Sequence, residues 1–184
     1  MQTLTFKIAL HGVSPMIWRR LCLDANTTLA EFHQIIQIAM DWNYEHHYFH
    51  IYGQDFGSSP DAGIRGSNAP YEERLQDFDF DIGERFTYIS NFSEGWLCDI
   101  RIEAKKSEAQ DSPPPRCLSG NGKIGADRYY KADEWRTAIR LLGKAVACTD
   151  TITMDDIRRL LRDYEVVSFN RQKTNVRLQT RCRN

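Results

Sequence analysis

The sequence predicts an α+β fold: a single domain whose mixed or antiparallel sheet opens on a β-hairpin and carries about three packed helices. Three observations predict it. Leu4, Phe6, Ile8 and Leu10 alternate with Thr5, Lys7 and Ala9, the period-two pattern of a half-buried strand. Leu29, Phe32, Ile35, Ile36, Ala39 and Met40 recur at helical spacing. Finally, the elements come as strands, a helix, then further strands and helices, and not as repeated βαβ units.

The elements follow in order. A turn at Gly12–Pro15 leads into a second strand, Ile17–Leu23, in which Ile17, Arg19, Leu21 and Leu23 share a face, and the two strands pair as a hairpin. Thr28 and Glu31 have the spacing of a capping box, whose hydroxyl and carboxylate satisfy backbone N–H groups at a helix start. Residues 47–52 are aromatic and β-branched and read as strand. From Gly53 to Pro70 the composition turns to Gly, Ser, Pro, Asn and Asp, which predicts a long loop. Glu72 to Glu84 holds six carboxylates against one arginine; Asp77, Asp79 and Asp81 suit the wet face of an edge strand, with Phe78, Phe80 and Ile82 facing inward. Strands follow near Phe86–Ile89 and Trp96–Glu103, then a polar, proline-terminated connection from Lys105 to Pro115. Two shorter helices are expected, one from Asp133 to a stop at Gly143 and one from Thr153.

Composition narrows the class. At 184 residues, with 41% hydrophobic and 27% charged residues, the chain is long enough to bury a core and unlike a disordered one. A net charge of -1 supplies no global attraction to nucleic acid or to an anionic membrane. The N-terminus lacks the pattern of a signal peptide, and no stretch approaches the roughly 20 apolar residues that span a bilayer, so a cytoplasmic protein without a membrane partner is expected. Cys22, Cys98, Cys117, Cys148 and Cys182 form no CxxC pair and read as free thiols of a reducing compartment.

Candidate chemistry is sparse. His46, His47 and His50 invite a metal reading, but on a strand His46 and His50 stand about 13 Å apart, too far to share an ion, and His47 points to the opposite face. No metal and no cofactor is therefore assigned. The acidic segment lacks the spacing of a calcium loop, and Ser119–Gly125 lacks the order of a phosphate loop and reads as a turn. No nucleophile elbow is present, and no catalytic residue is assigned. The basic C-terminus is the candidate nucleic-acid contact: Arg171, Lys173, Arg177, Arg181 and Arg183 occupy the last fourteen residues without an acid among them. It has no aromatic residue after Phe169 on which a base could stack.

The run VSPMIWRRLCLDANTTLAEFHQIIQIAMDW resembles the plasmid pRiA4b ORF-3-like protein family. Pro15, Ile17, Trp18, Arg19 and Arg20 match its P-x-I-W-R-R signature; Thr28, Leu29, Phe32 and His33 match its helix start, and Trp42 its helix end. Weaker matches run through Phe49, Tyr88, Phe92, Trp96, Ile100 and Cys117 to Leu178. The resemblance implies one domain over residues 1–178, a short basic tail at 179–184, and an association with plasmids and mobile elements. Departures are specific: where the family reads H-L-H-x-F, Glu45, His46 and His47 stand here, and its Y-D-F-G-D-x-W-x-H strand becomes the stretch from Ser90 to Cys98. If the family has a polar active or metal site, these replacements imply that it is lost in this chain.

The resulting expectation is a non-catalytic binding or interaction domain with an unknown protein or ligand partner. Its candidate surface is a groove bordered by the Gly53–Pro70 loop, with Trp18, Arg19, Arg20, His47, Glu94 and Trp96 nearby. The alternatives are a nucleic-acid accessory protein using the C-terminal arginines, and a hydrolase using carboxylates around Glu45, Asp79 and Glu94, with or without a metal.

Overall fold

The alternating strand at the N-terminus becomes the organising centre of a seven-stranded antiparallel sheet in a computed structural model that describes residues 2–13, 16–58, 72–90, 96–107, 114–122 and 169–181. The strands are β1 (Gln2–Leu10), β2 (Trp18–Asp24), β3 (His47–Ile51), β4 (Gln54–Ser58), β5 (Arg85–Ser90), β6 (Trp96–Ser107) and β7 (Arg116–Asn121). They lie in the order β4-β3-β5-β6-β1-β2-β7. β1 and β2 form the expected hairpin, in register from Thr3 opposite Asp24 to Ala9 opposite Trp18.

Alternation decides what the sheet buries. Leu4, Phe6, Ile8 and Leu10 of β1 share the inner face with Leu21 and Leu23 of β2, Cys98, Ile100 and Ile102 of β6, and Phe49 and Ile51 of β3. The helix α1 (Leu29–Met40) supplies Leu29, Phe32, Ile35, Ile36, Ala39 and Met40 to the same core. Aromatic rings knit the layers: Phe32 lies 5.1 Å from Phe6 and 5.4 Å from Phe49, and Phe80 stacks on Phe86 at 5.0 Å.

The capping box forms as its spacing predicts. The Glu31 N–H donates to the Thr28 hydroxyl at 3.2 Å, and the Thr28 N–H to the Glu31 carboxylate at 2.8 Å. At the other end Asp41 takes φ 62, and the N–H groups of Asp41 and Trp42 return to the carbonyls of Ile38 and Gln37, which closes the helix as a Schellman motif does with glycine.

Several expectations are corrected. The described residues contain two α-helices and not about three packed ones: α1 and α2 (Arg171–Arg181), with the sheet dominating the architecture. The helices expected from Asp133 and Thr153 lie outside the described residues. The loop expected from Gly53 gives way to β4, because Tyr52 and Gly53 take positive φ and turn the chain back along β3. The acidic edge strand is instead a 3₁₀ turn, Leu75–Phe78, zipped to the start of α1; Phe80 is buried, Phe78 packs against the core, and Ile82 is exposed. Ser119–Asn121 belongs to β7 and pairs with β2. Among the described residues the basic C-terminus is helical from Arg171 to Arg181: α2 buries Thr174 and Leu178, and Asn175 exchanges hydrogen bonds with the backbone of Cys117 at 2.7 and 3.0 Å. Among the described residues no helix is long and apolar enough to cross a membrane.

Candidate ligand-binding site

A polar network interrupts the core where the C-terminal half of α1 faces β3, β5 and the segment between α1 and β3. Gln37 is its hub. Its Oε1 accepts the Tyr44 backbone N–H at 2.7 Å, so its Nε2 must be the donor to the Tyr88 hydroxyl (2.8 Å) and to Ser90 Oγ (3.1 Å). The Tyr88 hydroxyl also bonds His33 Nδ1, 2.8 Å away. With Tyr88 as the donor in that bond, His33 holds its proton on Nε2. His47, by contrast, donates from Nδ1 to the Glu45 carbonyl at 2.8 Å. The two imidazoles stack face to face, 3.5 Å apart and 9° from parallel.

Electrostatics keeps this stack neutral. Burial, helped by repulsion from His47, pushes the pKa of His33 down to about 3. Burial also lowers that of His47, against an opposing contribution from its bond to the Glu45 carbonyl. The Tyr88 phenol is driven upward by burial and stays protonated, as its donor role requires.

The network opens on a cleft of ≈ 300 Å³ lined by His33, Gln34, Gln37, Trp42, Tyr44 and Glu45 among others. A second hollow of ≈ 440 Å³ shares Gln37, Ile38, Trp42 and Asn43 and continues to Arg177 and Thr180 of α2. Trp42 stands on the wall common to both. It is 8% exposed, and its indole N–H is buried without a hydrogen-bond partner, as is that of neighbouring Trp96, whose ring centre is 5.9 Å away. Ser90 accepts from Gln37, and burial raises the pKa of the Cys98 thiol, which suppresses the thiolate.

The residues expected to share one groove are divided by the sheet. Arg19, His47 and Trp96 point into the core, at about 2% exposure each, whereas Trp18 and Arg20 stand half-exposed on the outer face. Arg19 donates to the carbonyls of Ala39 (2.7 Å), Trp18 (2.8 Å) and Asn121 (2.9 Å) and lies over the Phe169 ring. Arg20 pairs with Glu103 on β6. Glu94 lies outside the described residues, as does Arg183. Of the C-terminal cations, Arg171 donates to the Leu118 carbonyl, Arg177 is ion-paired with Asp41, Lys173 is exposed, and Arg181 ends α2. Glu45 and Asp79 are not brought together. Glu45 precedes β3, while Asp79 follows the 3₁₀ turn near Tyr52, beyond the other end of that strand. Among the described residues no group of three or more His, Cys, Asp or Glu is placed to hold a metal ion.

A family model described as plasmid pRiA4b ORF-3-like protein matches residues 2–169. The chain belongs to the plasmid pRiA4b ORF-3-like family. It is 29% identical to the uncharacterized protein y4hQ of Sinorhizobium fredii over 118 residues, 63% of this chain and 60% of that relative's length. It also shares the fold of a protein of unknown function, MM3350 from Methanosarcina mazei Go1, whose crystal structure superposes with a TM-score of 0.70 over 94% of this chain and 96% of that one, at 18% identity.

Within this plasmid pRiA4b ORF-3-like chain, the residues that carried the resemblance have two destinations. Ile17, Leu29 and Phe32 fill the core and Arg19 seals the end of α1, while His33 and Trp42 line the cleft. Sequence reasoning passed over His33, Gln37, Tyr88 and Ser90 as a set. One signal was available: His33 and Gln37 are four residues apart, embedded in the apolar stripe of a helix, where a polar pair has to find partners inside.

Proposed function

We propose that this protein is a non-catalytic binding domain that admits a small molecule rich in hydrogen-bond acceptors to the cleft beside α1. The observation that carries this reading is the Trp42 indole N–H, buried without an acceptor on the wall of that cleft. Such a donor costs on the order of 1–3 kcal/mol, which an acceptor on a ligand would recover. His33 Nε2–H and the amides of Gln34 and Asn43 add donors, and Glu45 places an exposed carboxylate at the mouth. The apolar Trp42 and Ile38 walls favour a compact, partly planar ligand.

In the same reading the chain acts as one domain over residues 1–178 in the cytoplasm, and the packing of α2 on β7 supports the unity of that domain. An association with plasmids rests on the family description.

A thermal-shift panel of nucleobases, nucleosides, amino acids and short carboxylic acids at millimolar concentration tests the proposal. At least one class should raise the Tm of the protein, and Trp42→Phe, which keeps a ring and deletes the N–H, should remove that shift. Recovery of the ligand unchanged by NMR is expected. A panel without effect, a shift that survives Trp42→Phe, or conversion of the bound molecule would each refute it.

A further inference from the structure

The outer face of the sheet, independent of the cleft, carries an arrangement that strand register alone reveals. Arg20 of β2 is paired with Lys7 of β1, Lys7 with Arg101 of β6, and Arg101 with Arg85 of β5. Four cations thus stand in one row across four adjacent strands, spanning three inter-strand gaps, or about 14 Å. Like charges placed directly opposite one another destabilise a sheet. The cost falls mainly on the directly opposed Arg101 and Arg85, since Glu103 pairs with Arg20.

Glu103 offsets the Arg20 end of the row and lies within electrostatic reach of Lys7 and Arg101. Glu103 is engaged by Arg20, Asp99 by His11 and Asp55 by His50. Arg85 and Arg101 are exposed and have no ion-pair partner among the described residues. Trp18 adds an aromatic surface at the β2 end of the row: it is half-exposed, with Lys7 Nζ and the Arg20 guanidinium each 5.2 Å from its ring centre. This is the composition of a surface for single-stranded nucleic acid: cations to follow the phosphates, and a π-face beside them on which any base can stack.

We infer that the row Arg20–Lys7–Arg101–Arg85, with Trp18, binds the phosphodiester backbone of single-stranded nucleic acid running across the strands of the sheet. The site is separate from the C-terminal cations, of which Arg171 and Arg177 are held by contacts within the protein, as Arg20 is by Glu103.

Fluorescence anisotropy with a labelled oligo(dT) tests it on the full chain. With three to four phosphates contacted, the affinity should fall roughly 15- to 60-fold between 50 and 200 mM salt. The double charge reversal Arg85→Glu/Arg101→Glu, at exposed positions that leave the core intact, should weaken binding at least about tenfold and flatten the salt dependence. Trp18→Leu should cost roughly five- to a hundredfold. Lys173→Glu on α2 should leave binding unchanged. Circular dichroism of each variant confirms folding. The inference is overturned by absence of binding at 50 mM salt, by indifference to the double reversal, by an equal loss in Lys173→Glu, or by polyglutamate competing as well as oligo(dT).

Discussion

Arg19 is fully buried, and burial lowers its pKa to about 10, so it keeps its charge at neutral pH. What holds that charge is the end of α1. The last turn of the helix contains no basic residue of its own, and its carbonyl ends carry partial negative charge. Arg19 supplies a cation from β2 and Arg177 another from α2, through its pair with Asp41. Arg19→Met should fill much of the volume yet leave the carbonyls of Ala39, Trp18 and Asn121 without their donor, lowering stability by about 3 kcal/mol in urea denaturation. The stacked histidines make a second prediction. Both have folded pKa values below the free value, so the unfolded chain takes up protons first as pH falls. Their contribution is complete above about pH 6.5 and is lost progressively below it, for His33 until about pH 3. Between pH 6.5 and 5, before the carboxylates titrate, the Tm should decline, and His33→Gln should flatten that decline; an unchanged slope would count against the neutral stack.

Whole elements depend on a few local devices. α1 begins where Thr28 and Glu31 cap each other, and Thr28→Ala should cost about 1 kcal/mol by chemical denaturation. β7 can lie against β2 only because position 120 lacks a side chain. A Cβ on Gly120 would come within 2.9 Å of the Arg19 side chain, the Phe169 ring and the Trp18 carbonyl oxygen. Since one of the three is backbone, the clash cannot be relieved by a rotamer change alone, and Gly120→Ala should destabilise by roughly 1–3 kcal/mol. The same element scale explains why the described members of the expected groove do not share one face. Neighbouring residues of a strand face opposite sides, so Trp18 and Arg20 cannot join Arg19 in one pocket.

At the scale of the molecule, α2 closes the packing of elements distant in sequence. Leu178 is fully buried, Asn175 bonds β7, and Arg177 reaches the end of α1. Deletion of residues 171–184 should therefore cost at least about 3 kcal/mol, read as a lowered Tm, whereas loss of a solvated tail would leave the Tm where it was. The cationic row belongs to this scale as well, since its members come from four strands between residues 7 and 101 and meet only through register.

The chain by itself determined whatever depends on near neighbours. Alternation in Leu4–Leu10 and Ile17–Leu23 dictated the hairpin and its buried side; helical spacing and the Thr28–Glu31 cap dictated α1; and the run from Pro15 to Trp42 carried the family. The folded structure alone decided β4, the 3₁₀ turn, the helical state of Arg171–Arg181, and the meeting of His33 with His47 and of Gln37 with Tyr88. The physical reason is range. Periodicity and capping act over a few residues, where sequence spacing is spatial spacing. A weakly apolar strand or a polar helix is settled by partners dozens of residues away, and a binding surface is settled by which residues of separate strands the sheet brings into line.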